Sequence, residues 1–219
     1  MSYISEKFKL DFSPVANRDA IVIGKNVRFT VITSRLIRIE LSSSNIFEDR
    51  ASQVFWHRNQ PVPSFQVFKN NSRIEIITED LHLVYRIGSD ALFPADLHIA
   101  GRKENINWHF GESDTGKLFG TTRTLDKADG IVPLEKGLMS ANGWSIIDDT
   151  ESLVFNEEYM LVNRELNSNN NIYKDIYFFG YGRDYKGCLR DFFKIAGNVP
   201  LIPRWALGNW WSRYWEYTQ

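Results

Sequence analysis

Cysteine is almost absent from this sequence, which has only Cys188 among its 219 residues. A single cysteine excludes a disulfide within the chain and is typical of a reducing compartment. The sequence also lacks any run of about 18 apolar residues that could cross a membrane. Residues 1–14 (MSYISEKFKLDFSP) have no apolar stretch suited to a signal peptide. We therefore expect a cytoplasmic protein that does not bind a membrane.

An excess of positive charge is missing as well. Lysine and arginine total 26, aspartate and glutamate total 27, and the formal net charge is −1. Nucleic-acid-binding surfaces usually carry a basic patch that neutralises phosphates, and no basic block stands out here. Nucleic acid is therefore not an expected partner.

Aromatic residues, in contrast, are abundant. They make up 14% of the chain, and four tryptophans lie close to its end: Trp205, Trp210, Trp211 and Trp215. Hydrophobic residues account for 43% and charged residues for 24%, as in a globular protein that buries a core. Aromatic surfaces stack on sugars or bases, but an aromatic-rich core has the same composition. Composition alone leaves both alternatives open.

From Ala20 to about Arg164 the sequence consists of short runs in which apolar and polar residues alternate. Such runs span residues 26–33, 35–41, 73–78, 81–87, 143–148, 153–156 and 159–165. A period of two predicts β-strands, and the Glu79-Asp80 pair between two of the runs predicts a hairpin. Many short strands at this spacing predict an antiparallel β-sandwich.

Two stretches do not fit the strand pattern. Residues 42–64 are polar and contain Pro61 and Pro63, and residues 118–140 contain several glycines and a proline among charged residues. Both are predicted to be long loops, which are often functional in compact domains.

After a last strand-like run at residues 175–182 the period changes to that of a helix. The apolar residues at helical spacing are Tyr185, Cys188, Leu189, Phe192 and Phe193. Asp184 is placed as the N-cap of this helix, and Gly197 lies where a glycine would end it.

The chain beyond this helix reads as a single buried strand. Pro200 and Pro203 prevent further helix, and residues 205–211 (WALGNWW) are apolar on both faces, as in a parallel strand covered on both sides. Such a strand needs neighbours for its hydrogen bonds. We therefore expect the sequence to be cut at a domain junction.

Three segments resemble glycoside hydrolase family 31, the α-glucosidase and α-xylosidase family. They are residues 119–130 (FGTTRTLDKADG), 177–208 (YFFGYGRDYKGCLRDFFKIAGNVPLIPRWALG) and 209–215 (NWWSRYW). The middle segment is the most specific. It is similar to the family's connection from an N-terminal β-sandwich, through a short helix and a proline pair, to the first strand of the catalytic barrel.

The resemblance implies a mainly β fold with three parts. Residues 1–183 would form a galactose-mutarotase-like antiparallel β-sandwich, residues 184–203 a linker helix and proline-containing connection, and residues 204–219 the first strand of a truncated (β/α)8 barrel. It also implies retaining hydrolysis, which requires two carboxyl groups about 5–5.5 Å apart. In the family both are aspartates on later barrel strands, beyond Gln219, so no catalytic residue, cofactor or metal is expected in this chain.

Four residues are candidates for substrate binding through the same resemblance: Asp126, Asp129, Arg213 and Tyr214. Asp126, with Asp129 second, matches an aspartate on a sandwich loop that reaches over the barrel mouth, where a carboxylate accepts hydrogen bonds from sugar hydroxyls. Tyr214 matches an aromatic residue of the sugar pocket, and the guanidinium of Arg213 could orient carboxylates or hydroxyls. The simpler alternatives are solvated turn residues for the aspartates and packing within the barrel for the tryptophans beside Tyr214.

Other residues with reactive side chains fit structural roles better. Asp148 and Asp149 lie between two strand-like runs, where turn chemistry explains them. Cys188 lies on the apolar stripe of the helix and is expected to be buried and inert. The histidines are scattered and have no metal-ligand spacing: His57, His82, His98 and His109.

The leading hypothesis is the N-terminal part of a retaining α-glycosidase that releases terminal α-linked glucose from oligosaccharides. The sandwich would support the barrel of the same polypeptide, and the 219 residues alone would be inactive. One alternative is an α-xylosidase, whose substrate differs only at the C6 hydroxymethyl group. Others are a stand-alone, non-catalytic carbohydrate-binding sandwich and a structural or interaction module. Without a barrel, residues from about Trp205 are expected to be disordered, folded back on the sandwich, or buried in a homo-oligomer contact.

Overall fold

The structure, a computed structural model, describes residues 10–87, 96–120, 132–165, 172–199 and 201–208. The strands are β1 (Ile21–Gly24), β2 (Val27–Thr33), β3 (Leu36–Ser42), β4 (Phe65–Lys69), β5 (Arg73–Thr78), β6 (Leu81–Arg86), β7 (Asp96–Gly101), β8 (Asn107–His109), β9 (Lys117–Phe119), β10 (Lys136–Ser140), β11 (Trp144–Asp148), β12 (Val154–Phe155), β13 (Leu161–Val162) and β14 (Tyr173–Gly180). The α-helix, α1, is Tyr185–Ala196, and short 3-10 helices span Arg18–Ala20 and Arg204–Leu207.

Two five-stranded antiparallel sheets form the body of the fold. The first sheet has the order β1-β2-β3-β14-β11, and the second has the order β4-β5-β6-β7-β8. A continuous hydrophobic core fills the space between them, with Phe29, Ile39 and Phe178 from the first sheet and Ile76 and Ile99 from the second. The predicted antiparallel β-sandwich is confirmed.

The alternation of residue types explains why the strands pair as they do. In β5, Ile74 and Ile76 are fully buried, while Arg73 and Glu75 between them are partly exposed. A shift of one residue would turn the apolar side chains to solvent, so this pattern fixes the register. The predicted hairpin at Glu79-Asp80 joins β5 to β6.

The first sheet is buried on both faces, unlike the second. Every residue of β3 is buried. Of the loop predicted at residues 42–64, Ser42 instead ends β3, and residues 43–64 run across the outer face of this strand without forming a strand themselves. Phe55 from this loop stacks on Tyr177 of β14 with ring centroids 3.7 Å apart. Cys188 and Ile195 of helix α1 join Phe55 and Tyr177 in a second hydrophobic cluster on this outer side of the first sheet. The sandwich therefore has a third layer on one side.

Helix α1 begins and ends where the sequence predicts. The side chain of Asp184 accepts a hydrogen bond from the backbone N–H of Gly187, and Gly197 has φ of +93°, which suits glycine. Within the described residues, none of the helices has both the length and the apolar character needed to cross a membrane.

The segment after the prolines differs from the prediction. A strand was expected from residue 204, but residues Arg204–Leu207 form a 3-10 helix that follows Pro203. Trp205 is 75% exposed and Leu201 is 98% exposed. A buried strand requires hydrogen-bonding neighbours and two covered faces, and no strand of the described residues pairs with this segment. Residues 204–207 therefore form no strand in this chain, and the assignment of residues 204–219 to the first strand of a barrel, which would supply the missing neighbours, stays a prediction.

Candidate functional site

None of the four predicted substrate-binding residues lies in the described part of the chain. Asp126 and Asp129 belong to residues 121–131, and Arg213 and Tyr214 belong to residues 209–219. Their assignment stays a prediction. The structure does describe the strands that precede and follow residues 121–131 in the sequence.

Strand β9 precedes residues 121–131 and strand β10 follows them, and the two strands form an antiparallel pair. Phe119 lies opposite Lys136, and Lys117 lies opposite Ser140, with an irregularity in the register between these pairs. The backbone N–H of Gly120 also donates to the carbonyl of Glu135 over 2.7 Å. The sequence predicted loop throughout residues 118–140. The prediction is wrong for the residues of β9 and β10 in this range, because these residues pair across the two strands.

A single carboxylate holds the base of this hairpin. Oδ1 of Asp114 accepts hydrogen bonds from the backbone N–H of Gly116, from Oγ of Ser140 at 2.7 Å and from Nδ2 of Asn142 at 3.1 Å. Since these donors come from both sides of the hairpin, Asp114 fixes the position at which the two strands leave the sandwich.

An open cleft of about 250 Å³ lies beside the hairpin base. Its lining comprises Glu112, Ser113, Asp114, Lys117, Lys136, Trp144 and Ile146. The ammonium of Lys117 donates to the carbonyl of Ile146 over 3.2 Å, while Phe119 further along the hairpin is 66% exposed. Charged donors and acceptors next to apolar surface can bind a hydroxyl-rich ligand.

Asp148 and Asp149 do not form a joint carboxylate site. Asp148 is partly exposed, and its side chain pairs with Lys174 and accepts from the hydroxyl of Thr150. Asp149 is fully buried and pairs with Arg164 over 2.6 Å. The two side chains thus have different partners and surroundings, which agrees with the structural interpretation of this pair.

Asp149 belongs to a buried charge network on the outer face of the first sheet. Arg164 bridges Asp149 and Asp175, Arg38 bridges Asp175 and Glu40, and Arg28 pairs with Glu40 over 2.6 Å. The members, called here the buried charge network, are Arg28, Arg38, Glu40, Asp149, Arg164 and Asp175.

The network controls the protonation of its carboxyl groups. Burial alone would raise the pKa of Asp175, but the charges of Arg38 and Arg164 and their hydrogen bonds hold this pKa well below its usual range. Burial and the neighbouring Asp175 carboxylate instead raise the pKa of Asp149. Nothing in this network is open to a substrate, so its role is structural.

Sequence reasoning missed this network because four of its residues alternate with apolar ones along β2, β3 and β14: Arg28, Arg38, Glu40 and Asp175. That pattern is typical of a solvent-facing side of a sheet. The only available signal was the length of the loop at residues 43–64, which covers this face.

The description of the histidines as scattered is wrong for two of them. His98 on β7 and His109 on β8 lie directly opposite each other, and Asp96 is close to both. His82 instead bonds to Glu75, and His57 to Ser13. The missing information was the register of β7 and β8, which a single sequence does not reveal.

Cys188 of α1 is buried, as predicted, in a hydrophobic cluster that includes Tyr177 and Phe179 of β14. Burial, with a smaller contribution from the nearby Asp191 carboxylate, raises the pKa of its thiol to about 12. The thiolate is the nucleophilic form. At neutral pH this side chain is therefore an inert part of the core.

Solved structures of two glycoside hydrolases match this chain. A glycoside hydrolase family 31 dextranase from Flavobacterium johnsoniae, a mutant in complex with isomaltotriose, matches 91% of this chain with a TM-score of 0.50 and 16% sequence identity. The glucose complex of the same dextranase matches 91% of the chain at 15% identity and a TM-score of 0.49. A family 31 α-xylosidase from Xanthomonas citri matches 64% of the chain and 15% of its own length, with 14% identity and a TM-score of 0.32.

The chain spans only 30% of the length of the dextranase. No protein-family model and no curated protein matches the sequence. At this level of identity the likeness concerns the fold. The chain has a β-sandwich fold that is also found within a glycoside hydrolase family 31 dextranase, and the resemblance read from the sequence is confirmed at the level of fold.

Proposed function

We propose that these 219 residues are the N-terminal β-sandwich region of a retaining α-glycosidase of glycoside hydrolase family 31. The observation that carries the proposal is the structural match over 91% of this chain but only 30% of the dextranase. The sandwich supports a catalytic barrel and contributes one loop to its substrate pocket. In this arrangement residues 1–183 are the sandwich, 184–203 the connection and 204–219 the start of the barrel.

The apolar surface of the connection supports this division. Its exposed side chains, together with those of the segment that follows, are Val199, Leu201, Ile202, Trp205 and Leu207. Consecutive apolar residues on a surface are typical of a contact with another domain. In our proposal this surface contacts the barrel of the same polypeptide. Residues 204–208, which form no strand here, would then have neighbouring barrel strands with which to pair.

The proposed substrate is an oligosaccharide with a terminal α-linked glucose, and an α-linked xylose is the alternative. The two sugars differ only at C6, and one small group of this kind changes binding by about 1–3 kcal/mol. The complete gene product should therefore hydrolyse both 4-nitrophenyl α-glucoside and 4-nitrophenyl α-xyloside, with the glucoside preferred. A higher rate on the xyloside would select the α-xylosidase alternative.

Replacement of Asp126 by alanine tests the proposed contribution of the loop. A hydrogen bond to a charged group contributes about 1.5–3 kcal/mol. We expect kcat/KM of the complete gene product to fall about tenfold to a hundredfold, since each 1.4 kcal/mol is a factor of ten. Asp129→Ala should have a smaller effect, and neither change should alter the melting temperature. An unchanged kcat/KM in Asp126→Ala would refute the assignment of this residue.

A further inference from the structure

A pair of histidines faces the solvent side of the second sheet at its β8 edge. His98 and His109 are direct cross-strand partners, and their ring centroids lie 5.5 Å apart with 32° between the ring planes. Directly opposite residues on antiparallel strands are the closest cross-strand neighbours, so both imidazoles can reach a common point.

Asp96 adds an oxygen to this pair. One ring nitrogen of each histidine and one carboxylate oxygen of Asp96 all lie within 4.8 Å of one another. Nδ1 of His98 is 3.2 Å from Oδ2 of Asp96. Ligands of a tetrahedral zinc ion, at about 2.0–2.1 Å from the metal, are about 3.3 Å apart. The Asp96 and His98 atoms, which lie within hydrogen-bonding distance of each other, already have this separation. A change in the side-chain torsions of the exposed His109 has to bring its ring nitrogen to a similar distance.

A second carboxylate is within reach of the open position. Oε2 of Glu112 is 4.0 Å from Nδ1 of His109 and accepts a hydrogen bond from the backbone N–H of His109. Glu112 can therefore occupy the fourth position or orient the imidazole of His109, as carboxylates next to metal-bound histidines do. Otherwise water completes the tetrahedron.

The backbone beneath these side chains is firmly held. Leu97, Ile99 and Trp108, which point to the opposite side of the same two strands, are buried in the core between the sheets. The N–H of Phe110 donates to the carbonyl of Leu97 over 2.8 Å. Because the strands are fixed, only side-chain torsions must change to assemble the ligands.

We propose that Asp96, His98 and His109 form a site for a divalent transition-metal ion such as Zn²⁺. Two imidazoles and a carboxylate suit zinc and its neighbours, whereas Mg²⁺ and Ca²⁺ prefer ligand sets made of oxygen atoms. The ion ties the three-residue edge strand β8 to β7. Residues 110–116 join β8 to β9, so the ion also holds the strand from which the chain leads to the hairpin of β9 and β10.

Calorimetric titration of the untagged, metal-free chain with Zn²⁺ tests this site. We expect one ion per chain in the micromolar range, and at least about a tenfold loss of affinity in His98→Asn and in His109→Asn, since changes even outside the ligand set cost about 10–100-fold. His82→Asn is the matched control. His82 lies on the same face of the sheet with one carboxylate partner, Glu75, and its replacement should leave the affinity unchanged.

Two further measurements keep the site falsifiable if a variant folds poorly. Zn²⁺ in excess of its dissociation constant should raise the melting temperature of the unsubstituted chain. In NMR spectra it should shift the imidazole signals of His98 and His109 but not that of His82. Equal affinity in all three variants, no micromolar binding by the unsubstituted chain, or shifts confined to His82 would each overturn the proposal.

Discussion

Replacement of Asp175 by asparagine is expected to lower the free energy of unfolding by about 3–5 kcal/mol. The carboxylate of Asp175 is fully buried and accepts hydrogen bonds from Arg38 at 2.9 and 2.8 Å and from Arg164 at 2.7 Å. Asparagine keeps the shape but removes the negative charge, so two buried guanidinium groups lose their common partner. Uncompensated buried charge is the reason for the large expected effect.

Asp148→Asn is the matched control for this variant. Asp148 is also an aspartate of the first sheet, but both it and Lys174 are partly exposed. Surface ion pairs contribute about 0–1 kcal/mol. Guanidinium chloride unfolding followed by circular dichroism should therefore show a large loss of stability for Asp175→Asn and a small one for Asp148→Asn. Equal midpoints for the two variants would contradict a structural role for the buried charge network.

Asp175→Asn should also change how the free energy of unfolding depends on pH in acid. The folded-state pKa of Asp175 lies below its value in the unfolded chain, which is about 3.9. Its contribution is therefore fully present above about pH 4 and is lost as the pH falls toward the folded-state pKa. Asp149, with a raised pKa, acts in the opposite direction. Unfolding midpoints measured at several acidic pH values should fall less steeply in Asp175→Asn than in the unsubstituted chain.

Trp108→Ala is expected to destabilise the fold by about 3–5 kcal/mol through the cavity that it leaves. Trp108 is buried on β8, and its ring contacts Phe178 and Trp144 with centroid distances of 5.3 and 6.3 Å. β8 has only three residues, so this side chain is its principal anchor in the core.

Trp108→Phe separates cavity formation from loss of the indole N–H. Nε1 of Trp108 has no hydrogen-bond partner among the described residues. Phenylalanine removes this unsatisfied donor and keeps most of the ring packing, so it should cost much less than alanine. Chemical unfolding of both variants measures the difference. A loss in Trp108→Phe as large as that in Trp108→Ala would show that ring packing is not the dominant contribution.

The elements that sequence reasoning predicted are those that depend on local patterns. Ile74 and Ile76 alternate with polar residues, and alternation of this kind directly specifies a strand with one buried face. Asp184 and Gly197 specify the two ends of α1 through capping and backbone conformation.

The elements that were missed depend on tertiary contacts. Arg38 and Asp175 have the spacing of solvent-facing residues, but they are buried because residues 43–64 cover their side of the sheet. His98 and His109 are brought together only by the pairing of β7 with β8. Trp205 is followed in the sequence by apolar residues, as in a buried strand. A strand forms only where another strand provides hydrogen bonds, and residues 204–207 form a 3-10 helix instead.

The substrate-binding residues could be predicted only through the family resemblance. The composition around Asp126 fits a solvated turn as well as a substrate-binding loop, and the composition around Tyr214 fits packing within a barrel as well as a sugar pocket. Both residues lie outside the described part of the chain. Fold likeness to the dextranase does not choose between these roles. The Asp126→Ala measurement distinguishes these roles for that residue.

The most direct test of a retaining α-glycosidase is the anomeric form of the first sugar released. Hydrolysis of 4-nitrophenyl α-glucoside by the complete gene product, followed by proton NMR, should show α-glucose before mutarotation produces the β-anomer, since two successive displacements preserve the configuration. The 219 residues alone should release no sugar. Initial release of β-glucose, no hydrolysis by the complete gene product, or hydrolysis by the 219 residues alone would contradict the proposed function.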